Sequence, residues 1–338
     1  MSSPELTLPP VRASRIVSLG IHRPERIVTN AEICERIDSD DEWIVSRSGI
    51  RERRFAPRDE TAVDLAVPAA REALEASGLA PEEIGLVVVA TSTHLTQTPA
   101  AAPLVADRLG IRAGAVDLSA GCAGFCYALA MASDAVRVGS AEHALVIGVE
   151  KLTDTLDLED RSTAFIFGDG AGAVVVSPSE TAGIGPVVWG SDGSQADAIT
   201  QTPRLWTALR DDPDAPFPVI TMSGQKVFRW AAFSMGPVAR QALARAGLDT
   251  EQLDAFIPHQ ANLRIIEALA RTLDLPDSVV VARDIETAGN TSAASVPLAM
   301  HELLREKQAA PGDTALLLAF GAGLVYAGQA VTLPSLPV

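Results

Sequence analysis

Arg71-Glu-Ala-Leu-Glu-Ala-Ser-Gly-Leu-Ala-Pro-Glu-Glu-Ile84 and, 169 residues later, Arg240-Gln-Ala-Leu-Ala-Arg-Ala-Gly-Leu-Asp-Thr-Glu-Gln-Leu253 are two versions of one phrase. Arg, Ala, Leu, Gly, Leu and Glu recur at matching places. Each copy reads as a helix stopped by glycine, which takes the left-handed backbone that closes a helix. Each then runs into an apolar strand, at 86–90 and 255–258. Two further matches follow in the same order. Ala120-Gly121-Cys122 lines up with Ala288-Gly289-Asn290, and FGDGAG (167–172) with FGAG (320–323). Duplicated strand–helix units of this kind predict two copies of one α/β half. In α/β sheets ligand sites form at strand carboxyl ends and where halves meet.

Working outward, the first half divides by hydrophobic period. Residues 15–20 read as a strand, 29–37 as a helix and 38–54 as a charged turn and helix. An amphipathic helix follows at 61–77 and a doubly buried strand at 84–90. Then come a helix at 99–109, a strand at 115–119, a long apolar helix at 122–138 and strands at 143–149 and 171–176. Residues 190–218 have weak period and several Asp, Pro and Gly, so they read as a long loop between the halves. The expected organisation is a tail at 1–13, a first half at 14–180 and a second half at 181–338.

With 338 residues, 47% hydrophobic and 21% charged, the chain can bury a large core. Its formal charge of −16 argues against non-specific nucleic-acid binding and against docking on anionic lipid. The cysteines are Cys34, Cys122 and Cys126. Their odd number, together with an N-terminus that shows no apolar signal segment, predicts a reducing cytoplasmic setting. No apolar run reaches the length of a membrane span.

Cys122 stands in Ala120-Gly-Cys-Ala-Gly124, between an expected strand and helix. Small neighbours allow a sharp elbow that presents a side chain at its apex. The positive end of the helix dipole there favours a thiolate. Cys126, one turn later, suits packing. His259 follows the strand in Phe256-Ile-Pro-His-Gln-Ala-Asn262, a polar run fitting an open strand end. Asn290, in Gly-Asn-Thr-Ser-Ala-Ala-Ser, reads as a helix cap or as the mate of Cys122 across the repeat. A His and an Asn facing a thiolate suit two chemistries. They can hold a thioester carbonyl while an enolate forms beneath it, or the His can act as base for a cysteine hydrolase. FGDGAG lacks the spacing of a dinucleotide fingerprint and reads as a tight turn. A Cys122/Cys126 metal pair lacks further ligands, so no metal is expected.

Five segments resemble the β-ketoacyl-[acyl-carrier-protein] synthase III family: DEWIVSRSGIRERR (41–54), AGCAGFCYAL (120–129), DRSTAFIFGDGAGAVVV (160–176), PHQANLRII (258–266) and AGNTSAASVPLAM (288–300). The resemblance runs in order from about residue 15 to 333. It implies a thiolase-like fold with duplicated halves in five α-β-α-β-α layers, a homodimer, and the initiating condensation of fatty acid synthesis. Cys122 would take an acyl group from acyl-coenzyme A (CoA). His259 and Asn290 would help malonyl-acyl-carrier protein lose CO2, and the carbanion would attack the Cys122 thioester.

Backbone N–H groups of Cys122 and Ala322 would form the oxyanion hole; many relatives carry Gly where Ala322 stands. CoA contacts are implied for Trp43, Arg47, Arg161, Gly224, Phe228, Asn262 and Arg264. Arg229, Arg264 and Arg271 would meet the acidic carrier protein. Thr98 and Phe167 would bound the acyl pocket, Thr98 from across the dimer. Acetyl-preferring members often carry Phe at the position of Thr98, so a smaller residue implies room for branched starters. Acyl-CoA and malonyl-acyl-carrier protein are substrates, and no cofactor is implied. A priming ketosynthase of a polyketide pathway is the alternative on the same fold.

Overall fold

The computed structural model describes residues 9–202, 211–212 and 214–336. In its first half lie β1 (Ala13–His22), the ribbon strands β2 (Ile27–Thr29) and β3 (Glu52–Arg54), β4 (Ile84–Ala90), β5 (Gly114–Leu118), β6 (His143–Glu150) and β7 (Gly170–Ser179). The second half carries β8 (Val188–Ser191), β9 (Ile199–Thr202), β10 (Val219–Met222), β11 (Ala255–Pro258), β12 (Val280–Val281), β13 (Thr314–Gly321) and β14 (Val325–Thr332).

The duplication is plain in the topology. One sheet runs β1-β7-β6-β4-β5 and the other β8-β14-β13-β11-β12. Directions match as well: the first two pairings in each sheet are antiparallel and the last two parallel.

Strand alternation sorts side chains into layers. Val87, Val89, Leu145, Ile147, Ala173 and Val175 face the helices Ala62–Ser77 and Ala101–Arg108. Val88, Ala90, Val146, Val174 and Val176 face inward. There they meet the helices Gly124–Arg137 and Ser295–Arg305, whose other side packs on Ile257, Leu317 and Ala319 of the second sheet. Phe256, Leu316, Leu318 and Phe320 point outward to the helices Gly224–Ala246 and Leu263–Leu273. This is the expected five-layered, thiolase-like α-β-α-β-α order. Each fully buried Val, Leu or Phe contributes about 1.5–3 kcal/mol of transfer free energy, so the two-faced strands are the main source of stability.

Several boundaries move. The helix at 61–77 is confirmed as Ala62–Ser77, capped by the Thr61 hydroxyl, with Gly78 left-handed at its end. The helix expected at 29–37 is only Asn30–Cys34. The helix expected from Cys122 begins at Gly124, after a 3-10 turn at Gly121–Ala123. The stretch 190–218 is not simply a loop. It contains the end of β8, the 3-10 turn Gly193–Ala198 and β9, which pairs with β10; residues 203–210 and 213 lie outside the described ones. Short, half-exposed strands such as Ile-Thr-Gln-Thr leave little hydrophobic period to read.

Two register details correct the repeat. The 3-10 turn Gly121–Ala123 precedes one central helix, and Ser292–Ala294 precedes the other. Gly121 (φ 48) and Ser292 (φ 47) share the left-handed backbone that opens these turns. Cys122 is therefore the structural mate of Ala293, not of Asn290. Phe320 sits in β13 where Val149 sits in β6, so the FGDGAG and FGAG turns are not equivalent in register. Among the described residues no helix is long and apolar enough to cross a membrane.

The middle layer is thin. A Cβ added at Gly148 of β6 would lie 2.4 Å from the Ala293 carbonyl oxygen, a backbone atom with no room to yield. Gly148→Ala is expected to destabilise the protein by about 1–3 kcal/mol. Gly193→Ala, with open space around it, should stay within about 0.5 kcal/mol of wild type. Urea midpoints at unchanged slope test this; equal midpoints for the two variants would refute the packing argument.

Candidate active site

A single cavity of about 1140 Å³ reaches the junction of the halves. Its walls include Cys122, His259 and Asn290, so the structure brings together the three residues singled out from the sequence. Cys122 is presented by the elbow between β5 and the central helix Gly124–Arg137. Gly121 supplies the left-handed residue the elbow needs, and a Cβ there would lie 3.1 Å from the Ala322 backbone nitrogen. The Cys122 loop and the Ala322 turn are thus in direct contact, as a shared oxyanion site requires. Cys126 is fully buried in the core, as packing predicts.

Cys122 is half-buried and keeps part of its surface open to the cavity. Burial pushes its thiol up to about 12. The Ser292 hydroxyl within hydrogen-bonding reach works against this, and the Glu150 charge adds to it. The backbone N–H at the opening of the helix acts in the lowering direction, as the sequence reading expects, but burial is the larger effect.

His259 lies where β11 ends. Its backbone N–H donates to the Leu318 carbonyl at 2.8 Å, and its ring Nδ1 is 2.7 Å from the Ser295 hydroxyl. The ring also packs edge-on against Phe320. Burial pulls its pKa down to about 3, so the imidazole is neutral at any physiological pH. Asn290 is fixed through its backbone, its N–H donating to Ile166 and its carbonyl accepting from Gly168 at 2.8 and 3.1 Å. Its Oδ1 accepts from the Ser292 N–H at 2.8 Å. Since an N–H can only donate, this places the amide oxygen on Ser292 and turns Nδ2 the other way.

The cavity mouth is lined by Trp43, Arg47, Gly224, Phe228, Arg229, Asn262 and Arg264. Arg161 is outside the lining itself but stacks its guanidinium 4.6 Å from the Trp43 ring centre. Arg264 lies 5.6 Å from the Phe228 ring centre. Asn262 ties two elements together, since Nδ2 donates to the Arg47 carbonyl and Oδ1 caps the Leu263–Leu273 helix. Arg271 is two turns along that helix, exposed and 4.0 Å from Glu267, away from the cavity.

Phe167 lines the cavity and pairs with Asn290 in a parallel bridge. Thr98 does not: it sits in an exposed loop outside its own chain's cavity, so it can reach a pocket only in a second copy. The ribbon β9–β10 forms a cavity wall through Ile199, Thr200, Gln201, Ile220 and Met222. Sequence reading missed that wall, as it missed Ser295, Ser292 and Glu150. Both serines stand in the GNTSAAS segment, but only the fold shows what their hydroxyls touch.

Comparison with known proteins agrees with this geometry. The family model for 3-oxoacyl-[acyl-carrier-protein (ACP)] synthase III matches residues 116–193, and the model of its C-terminal part matches 243–333. The β-ketoacyl-[acyl-carrier-protein] synthase III of Streptomyces glaucescens is 55% identical over 95% of this chain and 96% of its own. That of Mycobacteroides abscessus is 56% identical over 95% of both. Among solved structures, the priming β-ketosynthase of the R1128 polyketide pathway superposes with a TM-score of 0.96 at 50% identity, covering 99% of this chain and 100% of that one. The synthase III of Aquifex aeolicus gives 0.87 at 39% identity, over 95% and 100%. The chain belongs to the 3-oxoacyl-[acyl-carrier-protein] synthase III family and is an acyl-transferring condensing enzyme of the initiating kind.

Proposed function

We propose that this enzyme transfers a short acyl group from CoA to Cys122 and condenses it with malonyl-acyl-carrier protein, giving 3-oxoacyl-acyl-carrier protein, CoA and CO2. The observation that carries this reading is the neutral, dehydrated His259 beside Asn290 on the wall that holds Cys122. An imidazole with a pKa near 3 is a poor base for a thiol near 12, which disfavours the cysteine-hydrolase reading. As an N–H donor it suits a carbonyl that becomes an enolate.

In the first half-reaction the Cys122 sulfur attacks the acyl-CoA thioester carbonyl. The oxyanion takes the backbone N–H groups of Cys122 and Ala322, and the CoA sulfur leaves with the proton that Cys122 gives up. In the second, the malonyl thioester carbonyl accepts from His259 Nε2–H and Asn290 Nδ2–H. This step uses the tautomer with the proton on Nε2, in which Nδ1 accepts from the Ser295 hydroxyl 2.7 Å away. CO2 departs, the carbanion attacks the acyl carbonyl, and Cys122 is released. No resident cofactor is needed.

Trp43, Arg47, Arg161 and Arg264 at the mouth suit the adenine and phosphates of CoA, Gly224 and Phe228 the pantetheine. Arg229, Arg264 and Arg271 give a locally basic face for an acidic carrier protein on a chain of net charge −16. Homodimer formation and a cytoplasmic location belong to the same reading. Support for the dimer comes from β5, the outermost strand of its sheet, where Val116 is 46% exposed. The close match to the R1128 priming ketosynthase favours a second reading, priming of a polyketide pathway. Rates with carrier proteins of the two pathways separate these.

His259→Ala and Asn290→Ala are expected to acylate Cys122 at near wild-type rates and to lose about 10²–10³-fold in CO2 release. Because the His259 pKa is lowered, its neutral form persists down to about pH 3. The pH profile of CO2 release should therefore show no imidazole inflection between pH 5 and 8. Loss of acylation in His259→Ala, or an inflection near 6.5, would make His259 the base for Cys122 instead. For the starter, with Thr98 as the small cross-dimer residue leaving the pocket open, kcat/KM for isobutyryl-CoA should fall within about tenfold of that for acetyl-CoA, whereas a closed pocket would cost ~1–3 kcal/mol for each carbon it turns away. A much larger preference for acetyl would contradict the open pocket.

A further inference from the structure

Glu150 ends β6 with no exposed surface, and no step above uses it. Burial raises its pKa, but its carboxyl group is not left without partners. It accepts from the Ser92 N–H at 3.1 Å, the Ser92 hydroxyl at 3.0 Å and the Thr93 hydroxyl at 2.7 Å. The Thr91 hydroxyl stands at 3.4 Å. Those donors come from its own half of the molecule. One more comes from the other half: the Ser292 hydroxyl, at 3.0 Å from Oε1. Burying a carboxyl group is costly unless partners surround it, and this shell, drawn from both halves, ties them together at one point whose purpose can be read from Ser292.

Ser292 is the residue on which that purpose bears. It has φ 47, a left-handed backbone that non-glycine residues seldom adopt. In that conformation its N–H reaches the Asn290 Oδ1 at 2.8 Å. The bond decides which end of the Asn290 amide faces Ser292 and which faces the cavity. A relaxed Ser292 would withdraw the N–H and free the amide to rotate. The other half's equivalent position is Gly121, which takes the same backbone without a side chain to hold.

We propose that Glu150 is a positioning residue for the second half-reaction: by clasping the Ser292 hydroxyl from the opposite half, it holds Ser292 left-handed and keeps the Asn290 Nδ2–H groups aimed at the malonyl carbonyl. The proposal rests on the condensation reading above. It predicts a split between half-reactions. Removing the clasp misaims Asn290 but leaves the Cys122 and Ala322 N–H groups in place. It also frees the Ser292 hydroxyl, whose single proton the clasp holds, to face Cys122, which does nothing to hinder thiolate formation.

The test compares wild type, Glu150→Gln, Ser292→Gly and the double variant. Ser292→Gly keeps the left-handed backbone accessible while removing the hydroxymethyl side chain that Glu150 holds. Acyl transfer from acyl-CoA to Cys122 and CO2 release from malonyl-acyl-carrier protein are timed separately, and hydrogen exchange is followed on a peptide spanning residues 290–295. Glu150→Gln should slow CO2 release by about 10–100-fold, the usual cost of losing a group that orients an active-site residue. Acylation should be no slower than about one-third of wild type, and exchange at 290–295 should quicken. The double variant should lose no more than the worse single one, because both cut the same link. CO2 release at the wild-type rate in Glu150→Gln, equal loss of both half-reactions with a lowered Tm, or additive losses would each overturn the clasp. If wild-type enzyme releases no CO2, the functional reading fails on its own, and the exchange measurement still decides whether Glu150 holds Ser292.

Discussion

Two five-stranded sheets share one middle layer of helices, and the gap between them is as narrow as alanine and glycine permit. Gly148 touches the Ala293 carbonyl, and Ala90, Ala123, Ala128, Ala293 and Ala299 fill the shared core. This close approach puts the opening turns of the two central helices side by side. Each turn begins with a left-handed residue, Gly121 in one half and Ser292 in the other. The nucleophile comes from the first turn. The Asn290 loop and its support come from the second.

The same packing strips the site of water, and dehydration then sets the chemistry. It raises Cys122, lowers His259 and raises Glu150. Cys122 and His259 are thereby kept uncharged, while around Glu150 a shell of donors works against the shift that burial imposes. A neutral imidazole and a neutral amide are the donors an enolate needs, and neither competes with Cys122 for a proton. The positive side chains stand instead at the mouth, at Arg47, Arg229 and Arg264, where water screens them and anionic substrates arrive.

Much of this was legible in the chain itself. The repeated helix end at Arg71 and Arg240 announced the duplication, and the small residues around Cys122 announced the elbow. The symmetry argument for Asn290 did not survive in detail. Matching Ala-Gly-Cys to Ala-Gly-Asn was a local identity, three residues out of register with the turns themselves. Asn290 reaches the cavity because its backbone is pinned to Ile166 and Gly168, a contact across more than a hundred residues that no local pattern encodes. Glu150 was hidden for a related reason. At the end of an apolar strand a lone carboxylate carries no sequence signal until its partners, distant in the chain, are folded around it. The β9–β10 wall was missed because its strands are short and half-exposed.

The central claim is that Cys122 carries the acyl group between the two substrates. Its most direct test is to incubate the enzyme with an isotopically labelled acyl-CoA, locate the label by peptide mass spectrometry, and then add malonyl-acyl-carrier protein. The account predicts one acyl group, on the peptide containing Cys122 and absent in Cys122→Ser. It also predicts that the label leaves as 3-oxoacyl-acyl-carrier protein with release of CO2. Label on another residue, label retained in Cys122→Ser, or free acid as the only product would contradict it.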